Sequence, residues 1–158
     1  MRDTDTAPDK ADVLLPPPLI FAAALGIGLL VQHFAPRPWL PETWASPTGA
    51  ALVMIGLTLA IWGALTLRAA RTAIDPYKPT SAIVHTGPYR FTRNPLYLAL
   101  LLLSVGITAW RNALWVLPLL VVALVVLQLG VIRREEAYLD RKFGDQYRIY
   151  RARVRRWL

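Results

Sequence analysis

Thr43-Trp-Ala-Ser-Pro-Thr-Gly-Ala-Ala-Leu-Val-Met-Ile-Gly-Leu-Thr-Leu-Ala-Ile-Trp-Gly-Ala-Leu-Thr-Leu67 carries no charged residue from end to end. About 20 consecutive apolar residues suffice for a helix to cross the hydrocarbon core of a bilayer, and this run exceeds that length. Gly56, Ala60 and Gly63 form a stripe of small residues at helical spacing. Such a stripe lets a second helix approach closely, so we read it as a packing face and not as a cofactor contact.

Toward the N-terminus, Arg37-Pro-Trp-Leu-Pro-Glu-Thr-Trp44 is a short loop with proline breakers and two tryptophans, the composition of an interfacial anchor. Val13 to Pro36 is again uncharged, and the Pro16-Pro17-Pro18 run fixes the start of a first span at about residue 19. Met1 to Asp12 is polar and mildly acidic without apolar periodicity, which predicts a flexible tail. It lacks the basic leader of a signal peptide.

Toward the C-terminus, Arg68 to Arg93 is the longest polar interruption, with five basic residues against Asp75 and with Pro76, Pro79, Gly87 and Pro88 as breakers. Asn94 to Trp110 is uncharged but short for a span, and Arg111-Asn112 turns the chain into the apolar run Ala113 to Ile132, kinked at Pro118. Beyond it Leu139, Phe143, Tyr147, Tyr150, Val154 and Trp157 recur on one helical face, with a break near Gly144. Nine Arg or Lys against four acids surround them from Arg133 to Arg156, so this segment is expected to lie on a membrane surface.

The fold class is therefore all-α: a polytopic membrane helical bundle in one domain, residues 13–158. It has about four transmembrane helices (about 19–36, 46–67, 95–110 and 113–132) and a C-terminal interfacial amphipathic helix over about 133–157. A hydrophobic fraction of 55% agrees. The net charge of +8 follows no nucleic-acid motif and flanks the apolar runs, which points to the lipid bilayer as partner and not to nucleic acid. The chain has no cysteine, and His33 and His85 are far apart, so no metal is expected. Basic loops after the second and fourth spans place that side in the cytoplasm and make this a multi-pass integral membrane protein with its polar segments on the cytoplasmic face.

Those segments are Ser81 to Tyr97 and Arg133-Arg-Glu-Glu-Ala-Tyr138. The first offers tyrosine faces and guanidinium groups, the second a carboxylate pair of which one member is expected to face the bundle, because adjacent helical positions point about 100° apart. Tyrosine suits a cation and arginine a carboxylate, and S-adenosylmethionine carries both. The same residues also read as a basic membrane-proximal loop and as acids that pair with arginines.

Thr86-Gly-Pro-Tyr-Arg, Arg93-Asn-Pro-Leu-Tyr97, Glu135-Glu136 and Phe143-Gly144-Asp-Gln-Tyr147 with Tyr150 come in that order after membrane spans. In this the chain resembles the isoprenylcysteine carboxyl methyltransferase-like family of integral membrane methyltransferases, whose looser pattern phospholipid N-methyltransferases share. The resemblance covers about half the chain, from Ser81 on. It implies a helical bundle that binds S-adenosyl-L-methionine without a Rossmann domain, in keeping with the lack of a Gly-x-Gly-x-x-Gly motif. It implies cofactor contacts from Ser81, Ala82, Ile83, Val84 and Tyr89, from Asn94, Pro95, Leu96 and Tyr97, and from Glu135 and Glu136. Arg93 and Glu135 become the candidate catalytic residues, Arg93 orienting charge and Glu135 holding the donor's ammonium or ribose.

Two positions depart from the family pattern: Asn94 stands where the family has His, and Ala99 where it usually has Gly. Asn cannot take up a proton, which argues against a general base there. His85 has no place in the pattern. The expected function is a membrane S-adenosylmethionine-dependent methyltransferase for an amphiphilic acceptor, an isoprenylcysteine-like carboxylate or a related small molecule. A phospholipid N-methyltransferase and a non-catalytic lipid-binding scaffold are the alternatives.

Overall fold

The computed structural model describes residues 10–157, which form helices and turns apart from one isolated parallel bridge between Thr92 and Arg155. Proline sets where the helices begin. Helix α1 (Pro17–Phe34) opens within the triple proline, α2 (Glu42–Ala69) follows Pro41, and α3 (Pro95–Trp110) has Pro95 in its first turn. An N–H there would have no partner inside the helix, so proline loses nothing. Helix α4 (Val116–Leu127) runs through a π-helical turn, Gln128–Ile132, directly into α5 (Arg133–Phe143). Gly144, with φ +51°, breaks the rod before α6 (Asp145–Arg153).

Among the described residues three helical stretches are long and apolar enough to cross a membrane: Pro17–Phe34, Glu42–Ala69 and the continuous Val116–Phe143. Helix α3 is apolar too, but its 16 residues measure only about 24 Å at 1.5 Å per residue. The expected spans overlap these helices, the fourth, expected over 113–132, belonging to a stretch that runs on to Phe143.

The segment expected as a surface helix over 133–157 with a break near Gly144 is two helices that part at Gly144; α5 extends the fourth span, and after α6 the chain returns in extended form beside Thr92. The expected tail over 1–12 falls mostly outside the described residues, but its end is packed. Ala11 is buried, and Asp12 accepts from Arg134 Nη1 at its carbonyl (2.8 Å) and its carboxylate (3.2 Å).

The helices pack in two pairs, α2 along α3 and α1 along α4, with α3 also touching α1 and α4. Close approach of α2 to α3 rests on Gly49, Gly56 and Gly63, buried at seven-residue spacing. A Cβ at Gly49 would lie 2.6 Å from the Trp110 backbone nitrogen, and one at Gly56 3.0 Å from that of Leu103. The predicted stripe is thus a packing face, with Gly49 extending it toward the far end. Between α1 and α4 the core is Ile20, Phe21 and Ala24 against Val116, Leu120, Ala123 and Leu127. Ile27, Leu30, Ile55, Ile61, Val121 and Val125 point outward, the surface a bilayer would cover.

At the end opposite the polar segments, Asn112 ties two loops together. Its Oδ1 accepts from the backbone N–H groups of Trp39 and Leu40, both at 2.9 Å, and its Nδ2 donates to the Leu40 carbonyl at 2.8 Å. Trp115 Nε1 donates to the Ala35 carbonyl at 2.7 Å, closing the same end.

Candidate functional site

The chain from Ala70 to Asn94 folds back over the end of the bundle in a set of local turns. The Asp75 carboxylate accepts from the Tyr77 N–H (2.9 Å), and the buried Thr72 hydroxyl accepts from the Ser81 N–H (2.9 Å). Gly87, at φ +56°, begins a 3₁₀ turn that buries Pro88 and Tyr89. A side chain there would meet Thr66 Oγ1 at 2.6 Å. The sequence Thr-Gly-Pro-Tyr is therefore a local solution to pressing a loop onto α2.

The acidic pair arrives from the other side. A π turn holds more residues per turn than an α-helix and leaves a carbonyl without its usual partner. Here the Gly130 carbonyl accepts from the Leu14 N–H at 3.2 Å, which anchors the N-terminal segment to the turn. Immediately beyond it Glu135 and Glu136 both border a cavity of about 150 Å³ enclosed by the 72–97 loop, α3, α5 and α6.

The two carboxylates are used differently. Glu136 is buried and takes two arginines: Arg93 Nη1 at 2.9 Å on Oε1, and Arg156 with Nε at 3.0 Å on Oε1 and Nη2 at 2.6 Å on Oε2. Glu135 has no salt-bridge partner among the described residues; the group its carboxylate interacts with most is the Tyr97 hydroxyl. Arg93 also donates from Nη1 to the Tyr147 hydroxyl at 3.3 Å, while its buried Nε has no hydrogen-bond partner. One cavity thus holds a carboxylate without a counter-cation and a guanidinium with an unused edge.

Helix α6 and the chain after it close the site. Buried Tyr147 meets Arg93, and the Tyr150 hydroxyl donates to the Tyr89 carbonyl at 2.8 Å. Arg93 N–H donates to the Arg155 carbonyl at 2.9 Å, and Thr92 Oγ1 and Asn94 Nδ2 both donate to the Arg156 carbonyl at 3.0 Å. Burial pushes the Tyr89, Tyr147 and Tyr150 hydroxyls above the ordinary phenol range, so all three are neutral at physiological pH.

Of the sequence-derived site residues, Ala82, Ile83, Val84, Tyr89, Arg93, Asn94, Pro95, Leu96, Tyr97, Glu135 and Glu136 line the cavity. Ser81 does not: its N–H is taken by Thr72 and the residue is exposed. His85 is exposed and outside the lining. Sequence reading passed over Ala11, the Thr72–Pro76 turn, Tyr138 and Leu139, which also line it. Of these, Tyr138 carried a signal as the end of the Arg133–Tyr138 segment and Leu139 as the first residue of the C-terminal apolar face. Among the described residues no group of three or more His, Cys, Asp or Glu is placed to hold a metal ion.

Comparison with known proteins gives a family match. Residues 44–146 match the model of a family described as phospholipid methyltransferase. An uncharacterized protein of Haemophilus influenzae is 48% identical over 64 residues, which cover 40% of this chain and all of that protein. The cobalt-zinc-cadmium resistance protein CzcN of Cupriavidus metallidurans is 32% identical over 107 residues, 65% of this chain and 46% of that one. The nickel-cobalt-cadmium resistance protein NccN of Alcaligenes xylosoxydans xylosoxydans is 29% identical over 123 residues, 75% of this chain and 52% of that one. The chain spans about half the length of these two resistance proteins.

Proposed function

Because the chain belongs to the phospholipid methyltransferase family, we propose that its loop-covered cavity binds S-adenosylmethionine and presents the methyl group to an amphiphilic acceptor drawn from the bilayer. The observation that carries this reading is the division of labour between adjacent acids: Glu136 is neutralised by two arginines, whereas Glu135 stands in the cavity with only a tyrosine hydroxyl. A carboxylate screened from water and lacking a counter-ion favours a cationic ligand, and the tyrosine ring faces add to that preference.

The residues fit the donor's charges. Glu135 and Tyr97 would receive its ammonium or ribose, and the unused edge of Arg93 would receive its carboxylate. When bound, S-adenosylmethionine supplies a methyl group on a sulfonium centre. The apolar side chains of Leu67, Ile83, Val84 and Leu96 exclude water around it. Alignment of two reactants in such a site contributes about 7 to 11 kcal/mol in favourable systems, so no dedicated base is required.

Asn94 donates its amide to the Arg156 carbonyl and cannot accept a proton, which favours an acceptor that is already anionic, such as a carboxylate. The family description favours a second reading, a phospholipid amine, and for that acceptor Glu135 is the group available to take the proton. The concentration of arginines at the cavity end supports a cytoplasmic location for it, by the positive-inside rule.

The test is transfer of a radiolabelled methyl group from S-adenosylmethionine to a membrane lipid extract, with products separated by their stability to mild base. A base-labile product supports the carboxylate acceptor and a stable one the amine. Absence of any label, together with salt-sensitive binding to anionic vesicles, would indicate a lipid-binding scaffold instead.

A further inference from the structure

Arg156 lies outside the cavity lining, yet it shares Glu136 with Arg93, which lines it. The Glu136 carboxylate has two oxygens, and a two-point fork to a single guanidinium is its strongest pairing. Arg156 makes that fork, Nε to Oε1 at 3.0 Å and Nη2 to Oε2 at 2.6 Å. Arg93 is therefore held to one contact, Nη1 to Oε1 at 2.9 Å, and its Nε is left without a partner. Were the fork absent, the buried carboxylate would be free to take Arg93 in the same two-point manner and consume the edge now unused.

The fork is itself held in place from the loop that carries Arg93. The Arg156 carbonyl accepts from Thr92 Oγ1 and Asn94 Nδ2, and the Arg155 carbonyl from the Arg93 N–H. The residues flanking Arg93 thus fix the backbone of the arginine that governs its side chain. Asn94, which by residue type would suit an N-cap, makes no side-chain cap to α3 and is committed to this contact.

We propose that Arg156 is a positioning residue for the methyl donor: by occupying Glu136 it reserves the free edge of Arg93 for the donor's carboxylate. The inference rests on the donor reading given above. It predicts an effect confined to ligands that carry that carboxylate.

The experiment measures, by calorimetry on the full chain in lipid nanodiscs, the affinity for S-adenosylmethionine and for its decarboxylated analogue, which keeps the sulfonium and the amine. In Arg156→Ala and in Arg156→Lys, which keeps charge but cannot fork, affinity for the intact donor should fall about tenfold or more while that for the analogue stays unchanged. In Arg93→Ala the same loss should appear, and adding Arg156→Ala should bring no further loss. Equal weakening of both ligands would reduce Arg156 to a structural role and overturn the proposal, as would an unchanged affinity for the donor. If Arg156→Ala does not fold, Arg156→Lys carries the comparison. Failure of the unmodified chain to bind either ligand would remove the donor reading itself, a result distinct from binding that is indifferent to Arg156.

Discussion

Glu135 and Glu136 are neighbours in sequence and opposites in role, which makes single substitutions informative. Glu135→Gln keeps the shape and the Tyr97 contact but removes the charge. It should weaken donor binding by about tenfold or more while leaving circular dichroism and thermal stability near those of the parent. Glu136→Gln strips a buried carboxylate from two arginines and should destabilise the fold by roughly 3 kcal/mol, the low end for a buried pair because Arg156 is partly exposed. Denaturant titration in mild detergent distinguishes the two. The phenols of Tyr89, Tyr147 and Tyr150 give a pH signature. Their folded-state pKa values lie above the ordinary value of about 10, so their share of stability is complete below pH 10 and is lost as pH rises through the folded-state values. Phenolate absorbance should lag behind that of free tyrosine and rise together with alkaline unfolding.

At the level of elements, the glycines of α2 and the π turn after α4 show what a sequence can and cannot disclose. Gly56 and Gly63 are visible as a stripe because helical spacing is regular, and Gly49 completes it at the same interval. Gly49→Ala brings a Cβ against the rigid backbone of Trp110, so the α2–α3 pair should lose about 1 to 3 kcal/mol, read as a lowered unfolding temperature in detergent. The π turn has no comparable pattern. Gln128–Ile132 holds neither proline nor charge to set it apart from the helix around it, and a uniform 3.6-residue period misplaces every side chain after it by up to about 100°. Adjacency alone therefore left open which acid would pair with arginine. The return of residues 154–157 onto Thr92–Asn94 was equally hidden, since the acceptors there are the Arg155 and Arg156 carbonyls, which carry no residue signature. The 72–76 turn escaped for a related reason: Asp75 reads as an ordinary loop acid until its position on the cavity wall is seen.

For the whole molecule, uncharged runs separated by basic and proline-rich loops were enough to give a four-span helical bundle, because a bilayer admits few other ways to satisfy the backbone. The same asymmetry supports the proposed orientation, since among the described residues Arg37 and Arg111 are the basic side chains at the tryptophan-rich end. Since the chain lacks cysteine, single introduced thiols report sidedness cleanly. Glu42→Cys should react with an impermeant maleimide in intact cells, and Ser81→Cys only after lysis. The central claim is that the 82–97 segment and the α5–α6 region wall one donor site. Ultraviolet cross-linking of labelled S-adenosylmethionine to the full chain, followed by peptide mapping, addresses it most directly. Label on peptides containing Tyr89, Tyr97, Tyr147 or Tyr150, abolished by excess unlabelled donor and reduced in Glu135→Gln, is the predicted result. Label confined to other segments, or undiminished in Glu135→Gln, would contradict it.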